Sequence, residues 1–446
     1  MDEPRATPER PVGPTQRATV ATQASPGLRE AAAVWWRIGV LSFGGPAAQI
    51  ALMHRTLVDE RRWLSEREFL DALGFCMLLP GPEAMQLATL AGRRLHGVRG
   101  GLIAGGLFVL PGALVILILA ALYAQLGALP WMQALFNGVQ ATVVVIVLDA
   151  LLKVGRRALH DTLDRTIALS AFVALFALAI PFPIVIGGAA LLGVLRARRA
   201  PATPATTGGP VRPHERITLV RTLRTAGIWL LIWWLPLLGI AALDLEPLWW
   251  QLGSYFSLLA TLSFGGAYAL LAWMVQDVVH GFGWLDAAQM LDALGLAETT
   301  PGPLILVTEF VGYLAAHRQG GWWWGVAGAA ITLWATFVPC FLWIFALAPW
   351  IDRLSASATV RAALSAITAA VVGVILNLSL WFALQVFFGQ IERPSIGALV
   401  PWVPVWSSVQ PINLALALGA AMLMLRWRWS LLRTLPVMAL AGLVFT

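Results

Sequence analysis

The sequence predicts an all-α polytopic membrane protein of about thirteen transmembrane helices, built from two inverted-topology repeats whose helices break near the midplane. Three observations predict it. The chain of 446 residues is 59% hydrophobic and only 12% charged, with a mean hydropathy of +0.77, more apolar surface than a globular core can bury. Leu41-Ser42-Phe43-Gly44-Gly45-Pro46 recurs 221 positions later as Leu262-Ser263-Phe264-Gly265-Gly266-Ala267, and a Pro-Gly-Pro follows each copy at the same interval. Sliding 41–101 onto 262–322 needs no gap and gives about twenty identities over roughly sixty positions, where apolar composition alone would give about six.

The elements follow in order. Residues 1–30 mix Pro, Thr, Arg and acids without an apolar core region and read as a disordered cytoplasmic tail. The first transmembrane repeat, 31–196, holds spans at about 31–53, 67–92, 101–126, 131–152, 163–180 and 181–195. Residues 197–225, rich in Pro, Thr, Gly and Arg, read as a cytoplasmic linker. The second unit, 226–446, begins with a connecting span at about 226–243 and continues with spans at about 249–274, 287–313, 322–348, 358–388, 409–425 and 431–446.

Seven spans ahead of the second copy make it enter the bilayer from the opposite side. With the amino terminus inside, the arginine-bearing segments 93–99, 153–165, 196–224 and 426–433 are cytoplasmic, the carboxyl terminus is periplasmic, and 127–130 and 244–247 lie outside without Lys or Arg. One loop disagrees: 54–68 falls outside despite Arg55, Arg61, Arg62 and Arg67. A re-entrant hairpin over 67–92 is the alternative, and it would change the count. The net charge of +7 is spread over such short clusters, which argues for positive-inside topology and against nucleic acid.

Gly and Pro in mid-span free backbone dipoles inside the bilayer. Ser42, Phe43, Gly44, Gly45 and Pro46, with Pro80, Gly81 and Pro82, mark two breaks in the first half. Ser263, Phe264, Gly265 and Gly266, with Pro301, Gly302 and Pro303, mark two in the second. Four half-helix N-termini meeting there suit an anion held by backbone amides, Ser42, Ser263, Gln86, Thr299 and Thr300, although unwound carbonyls also suit cations. A Gly-Gly pair is, alternatively, a close helix crossing.

Glu83 sits in the first turn after a break, where a carboxylate either caps the helix or couples transport to protons. Glu298 and Glu309 flank the second Pro-Gly-Pro. Asp71 and Asp292, about 13 Å before the breaks, read as anchoring or gating residues. Arg37 attracts anions at the cytoplasmic mouth or snorkels to the headgroups. Two isolated cysteines, Cys76 and Cys340, and six scattered histidines offer no disulfide framework, metal cluster or redox centre, so no cofactor, no metal and no enzyme are expected.

These residues carry a family resemblance. Ser42 to Ile50, Glu60-Arg61-Arg62-Trp63-Leu64-Ser65-Glu66, Cys76 to Ala88 and Phe108-Val109-Leu110-Pro111-Gly112 closely resemble the chromate ion transporter (CHR) family in its long two-domain form, over 31–446. The resemblance implies a bacterial inner-membrane secondary transporter that exports chromate, driven by the proton-motive force, and confers chromate resistance. It implies a site on Phe43, Gly44, Gly45, Pro46, Pro80, Gly81, Pro82, Glu83 and Gln86. Partners are then a small inorganic oxyanion, chromate or sulfate, with protons or membrane potential and the lipid bilayer; a homodimer is left open. Ala267 replaces Pro46 and Leu304 replaces Glu83 in the second half, so the halves are unequal. Sulfate uptake or exchange is the competing reading, and an integral-membrane enzyme the remote one.

Overall fold

A computed structural model describes residues 26–199, 219–264, 266–394, 397 and 399–446. The tail 1–25, most of the linker (200–218) and Gly265 lie outside the described residues. The rest is helical apart from a two-stranded pairing, Ile391–Glu392 with Val403–Pro404, a small departure from the all-α expectation.

The first half runs α1 (Leu28–Leu41), α2 (Gly45–His54), α3 (Glu66–Cys76), α4 (Glu83–Leu126), α5 (Pro130–Ala158), α6 (Thr162–Phe176) and α7 (Phe182–Arg199). α8 (Leu219–Ala242) connects to α9 (Pro247–Leu262), α10 (Ala267–Val275), α11 (Ala287–Thr299), α12 (Val307–Gly320), α13 (Trp322–Leu347), α14 (Ile351–Ala356), α15 (Ala358–Phe387), α16 (Pro411–Ala421) and α17 (Leu431–Phe445). α2 and α10 end in matching π-helical turns, Arg55–Glu60 and Gln276–Gly281, at the 221-residue offset of the sequence repeat. Five helices are long and apolar enough to cross a membrane: α4, α5, α8, α13 with its 3-10 extension to Trp350, and α15.

The segments 31–53, 67–92, 249–274 and 287–313 do not run straight through. Each breaks and turns back. Laid end to end, α1 and the helix through Glu60 would part Glu30 from Arg61 by about 40 Å at 1.5 Å per residue, yet the two form an ion pair at 2.8 Å. Arg94, beyond the Pro-Gly-Pro, donates to the Glu68 carbonyl at 2.5 Å, closing α3 against the start of α4. In the second half the Tyr255 ring lies 5.0 Å from Phe282 and 5.7 Å from Trp284, folding α9 onto α10. Arg318 donates to the Trp284 carbonyl and to Gln289, folding α12 onto α11. α3, with 11 residues, is only about 16 Å long, half a hydrocarbon core.

α4 itself folds at His96-Gly97, where Gly97 takes φ 62°, ψ −149°; α12 and α13 turn at Gly321 with φ 76°, ψ −156°. In both turns the arms cross at bare glycines: Gly92 against Gly100, and Gly312 against Gly328, with no room for a Cβ. The two halves interlock. α5 packs on α16 and α17, while α15 packs on α6 and α7. Gly138 meets the Met438 backbone, Gly442 meets Ala134, Gly193 meets Ala362 and Gly373 meets Ala168, so each long helix is gripped by the terminal pair of the other half.

Candidate functional site at the paired helix breaks

Ser42 and Ser263 leave the helix in nearly the same conformation, φ −78°, ψ 62° and φ −79°, ψ 67°. Gly44 and Gly45 follow at φ 84° and 77°, and Gly266 at 97°, a region open to glycine at little steric cost. Gly81 and Gly302 sit at φ 115° and 91° between prolines that cannot donate.

The breaks pair across the halves. Gly302 N–H donates to the Ser42 carbonyl at 2.9 Å, and Gly81 N–H donates to the Ser263 carbonyl at 3.1 Å. Both partners are related by the same 221-position offset, so each half supplies the acceptor for the other's Pro-Gly-Pro. Behind them, Gly112 of α4 lies against Pro301 and Gly302, as Cys340 of α13 lies against Gly81. A Cβ on Gly112 would stand 2.2 Å from the Pro301 carbonyl oxygen, and one on Gly81 3.1 Å from Cys340 Sγ.

Four helices start directly after the breaks: α2 at Gly45, α4 at Glu83, α10 at Ala267 and the 3-10 turn into α12 at Leu304. None has a side-chain cap. Of the outer helices of these hairpins, α3 carries a Ser65/Glu68 capping box and α11 an Asp286/Gln289 one, while α1 and α9 have no side-chain cap. At all four tips the first-turn amides are left unfilled by side chains, an arrangement that suits an anion.

The expected hydroxyls are already engaged. Ser42 Oγ donates to Ile38, Ser263 Oγ to Ala260, Thr299 Oγ1 to Leu296 and Thr300 Oγ1 to Ala297, all carbonyls of the preceding turn. Gln86 spends its amide N–H on the Pro80 carbonyl at 2.6 Å. Gln49, which the motif reading passed over, donates to the Gly302 carbonyl at 2.6 Å and the Ser42 carbonyl at 3.2 Å, clamping one break pair. Its counterpart in the second copy is Leu270, and that of Gln86 is Val307; a polar residue in one copy facing an apolar one in the other was the signal available. The Oε1 atoms of both glutamines are buried without a partner.

The remaining expected residues scatter. Phe43 and Phe264 are half-buried beside their breaks, Gly44 is exposed, and Pro46 and Pro82 are half-buried at helix starts, whereas Pro80, Pro301 and Pro303 are buried. Glu83 starts α4 and faces the other half, its Oε1 3.8 Å from where a Gly266 Cβ would stand. Asp71 and Asp292 share a place in the repeat and nothing else: Asp71 is exposed, 3.9 Å from Arg67, while Asp292 is buried and accepts from Tyr123 and Gln140. Arg37 is exposed on α1. Cys76 and Cys340 are buried and free, and among the described residues no cluster of His, Cys, Asp or Glu could hold a metal ion.

The pattern of the family described as chromate transporter matches residues 29–194 and 250–445. The chain belongs to the chromate transporter family. It is 31% identical over 373 residues to the chromate transport protein of Pseudomonas aeruginosa, covering 82% of this chain and 83% of that one. It is 29% identical to the chromate transport protein of Cupriavidus metallidurans, covering 82% and 85%, and 29% identical to the probable chromate transport protein of Synechococcus elongatus, covering 78% and 82%. No solved structure matches the chain. The two family matches leave out 195–249, which holds the linker and α8, and each contains one pair of breaks. Together with its long apolar helices, the family makes this a multi-pass membrane protein.

Proposed function

We propose that the protein is a secondary transporter that exports chromate from the bacterial cytoplasm across the inner membrane, driven by the proton-motive force, and confers chromate resistance. The observation that carries this reading is the reciprocal pairing of the breaks, Gly81 with Ser263 and Gly302 with Ser42, beside four helix starts without side-chain caps. Backbone amides and helix dipoles bind a tetrahedral dianion without a fixed cation, so it can also leave. Ser42, Phe43, Gly44, Gly45, Pro46, Pro80, Gly81, Pro82, Ser263, Phe264, Gly266, Pro301, Gly302 and Pro303 shape the site; Gln49 and Gln86 hold its backbone in place. Glu83 occupies the positive end of α4 and competes with the anion for it, which ties anion occupancy to that carboxylate's charge.

The bilayer arrangement that fits is nine crossings (98–126, α5, α6, α7, α8, α13, α15, α16 with its π-helical continuation to Arg426, and α17) with four re-entrant hairpins. The first-half hairpins open to the cytoplasm and the second-half hairpins to the periplasm, as inverted repeats. Nine, like thirteen, is odd, so the amino terminus stays inside and the carboxyl terminus outside. Loop 54–68 moves to the cytoplasm, and its four arginines then obey the positive-inside rule.

Proteoliposomes loaded with labelled chromate or sulfate, under an imposed pH gradient or potential, test the function. Gradient-dependent chromate movement is expected. Equal chromate accumulation in a sensitive host with and without the protein overturns export, and sulfate flux unaffected by chromate assigns the site to sulfate.

A further inference from the structure

Away from the breaks, the seam between α5 and α11 carries buried carboxylates that the anion site does not use. Gly295 sits directly against Val139 and Val143, which brings the two helices into close contact there. Asp292 is 5% exposed; Tyr123 O–H donates to its Oδ2 at 2.7 Å and Gln140 to its Oδ1 at 2.8 Å. One and a half turns on, Glu298 is 7% exposed and accepts from Tyr268 O–H at 2.8 Å. Two of the four tyrosines in the chain are thus spent on two carboxylates of one helix.

Charged groups continue the line at both ends. Towards the α5 C-terminus, Asp149 lies within electrostatic reach of Tyr268, Lys153 within reach of Glu298, and the two pair with each other at 2.5 Å. Lys153 is largely exposed. Towards the opposite end, the exposed Asp286 acts on Asp292, and Arg318 acts on Tyr123. Among the described residues neither Asp292 nor Glu298 is in an ion pair, so a proton gained or lost there changes the local charge by a full unit. The first half has no such line: the counterparts of Glu298 and Tyr268 are Met77 and Ala47, and that of Asp292 is the exposed Asp71.

We propose that the α5–α11 seam is a proton relay, with Glu298 and Tyr268 as the station serving the Lys153 end and Asp292, Tyr123 and Gln140 as the station serving the Asp286 end. This rests on the transport reading and gives its coupling a path. In each step one O–H bond breaks as another forms: a proton leaves one carboxylic acid, a tyrosine or a water passes it on and is restored, and the next carboxylate receives it. About 9 Å of helix, packed at Gly295, parts the stations, so the relay requires water to enter the seam between them. Tyr268 stands two residues after Gly266, the glycine that lies beside Glu83, so proton arrival is felt at the break that borders the anion.

The test uses full-length protein in liposomes and compares Glu298→Gln and Tyr268→Phe with wild type in two assays. One is chromate counterflow without any gradient, which needs no net proton movement. The other is pH-gradient-driven chromate accumulation with interior pH recorded by a trapped dye. Retained counterflow with loss of gradient-driven accumulation and of chromate-coupled proton movement in Glu298→Gln, and a smaller loss in Tyr268→Phe, is the expected result. Coupled proton movement equal to wild type overturns the relay. Loss of counterflow in both variants overturns it as well, because the pair then belongs to the anion site or the fold. Wild-type liposomes that move neither chromate nor sulfate count against the transport reading itself.

Discussion

Gly81 is held to glycine by two independent facts, its φ of 115° and the absence of space, since a Cβ would stand 2.8 Å from Gln86 Nε2 and 3.1 Å from Cys340 Sγ. Gly44 has the first constraint without the second, meeting only the Ala48 methyl at 3.4 Å. The two are therefore separable by mutation. Gly44→Ala is expected to cost about 1–2 kcal/mol from the left-handed backbone alone. Gly81→Ala adds overpacking against a clamped amide and is expected to cost about 2–5 kcal/mol. Thermal unfolding in detergent orders them; equal losses would mean that the Gln86 and Cys340 side chains yield freely. Gln49→Leu, which copies Leu270 of the other half, leaves the buried Gly302 carbonyl without the amide and is expected to cost about 1–3 kcal/mol, read the same way.

The positions of the broken elements were legible in the sequence to within a residue or two, because Gly and Pro change the backbone locally and the 221-residue offset repeats them. Whether the chain continues or reverses at a break was not legible from hydropathy, which registers depth and not direction. The deciding contacts, Glu30 with Arg61 and Glu68 with Arg94, are 31 and 26 residues apart. One clue was present: the four arginines of 54–68 contradict a loop outside the membrane. The backbone of the candidate site was likewise legible, while Gln49 was marked only by its mismatch with Leu270, since a lone amide in an apolar helix carries no spacing signal. The reversal gives a direct test. Both native cysteines are buried, so single cysteines introduced at Arg62 and at Asp244 dominate labelling by a membrane-impermeant thiol reagent. Arg62→Cys is expected to react only from the cytoplasmic face and Asp244→Cys only from the periplasmic face. Labelling of position 62 from outside would restore a crossing over 67–92.

At the scale of the molecule, stability and function depend on parts that belong to opposite halves. α5 is enclosed by α16 and α17, α15 by α6 and α7, and every Pro-Gly-Pro amide bonds to the other half. Neither half can cover its own long helix. Fragments divided between 200 and 218 and produced together are expected to co-purify, and the first fragment produced alone is expected to be degraded; a stable, folded lone fragment would show that the interlock is dispensable.

α8 takes on a different meaning in that light. It has no counterpart in the repeat, and only 11% of its apolar window is covered by the rest of the protein. Its contribution is parity. Two copies of one domain joined by a connector that crosses an even number of times would face the same way, and their breaks could not trade hydrogen bonds. In the proposed bilayer arrangement a single additional crossing turns a tandem duplication into a molecule with a two-fold axis lying in the plane of the bilayer, and α8 sets that symmetry while burying only Trp233 and Leu237.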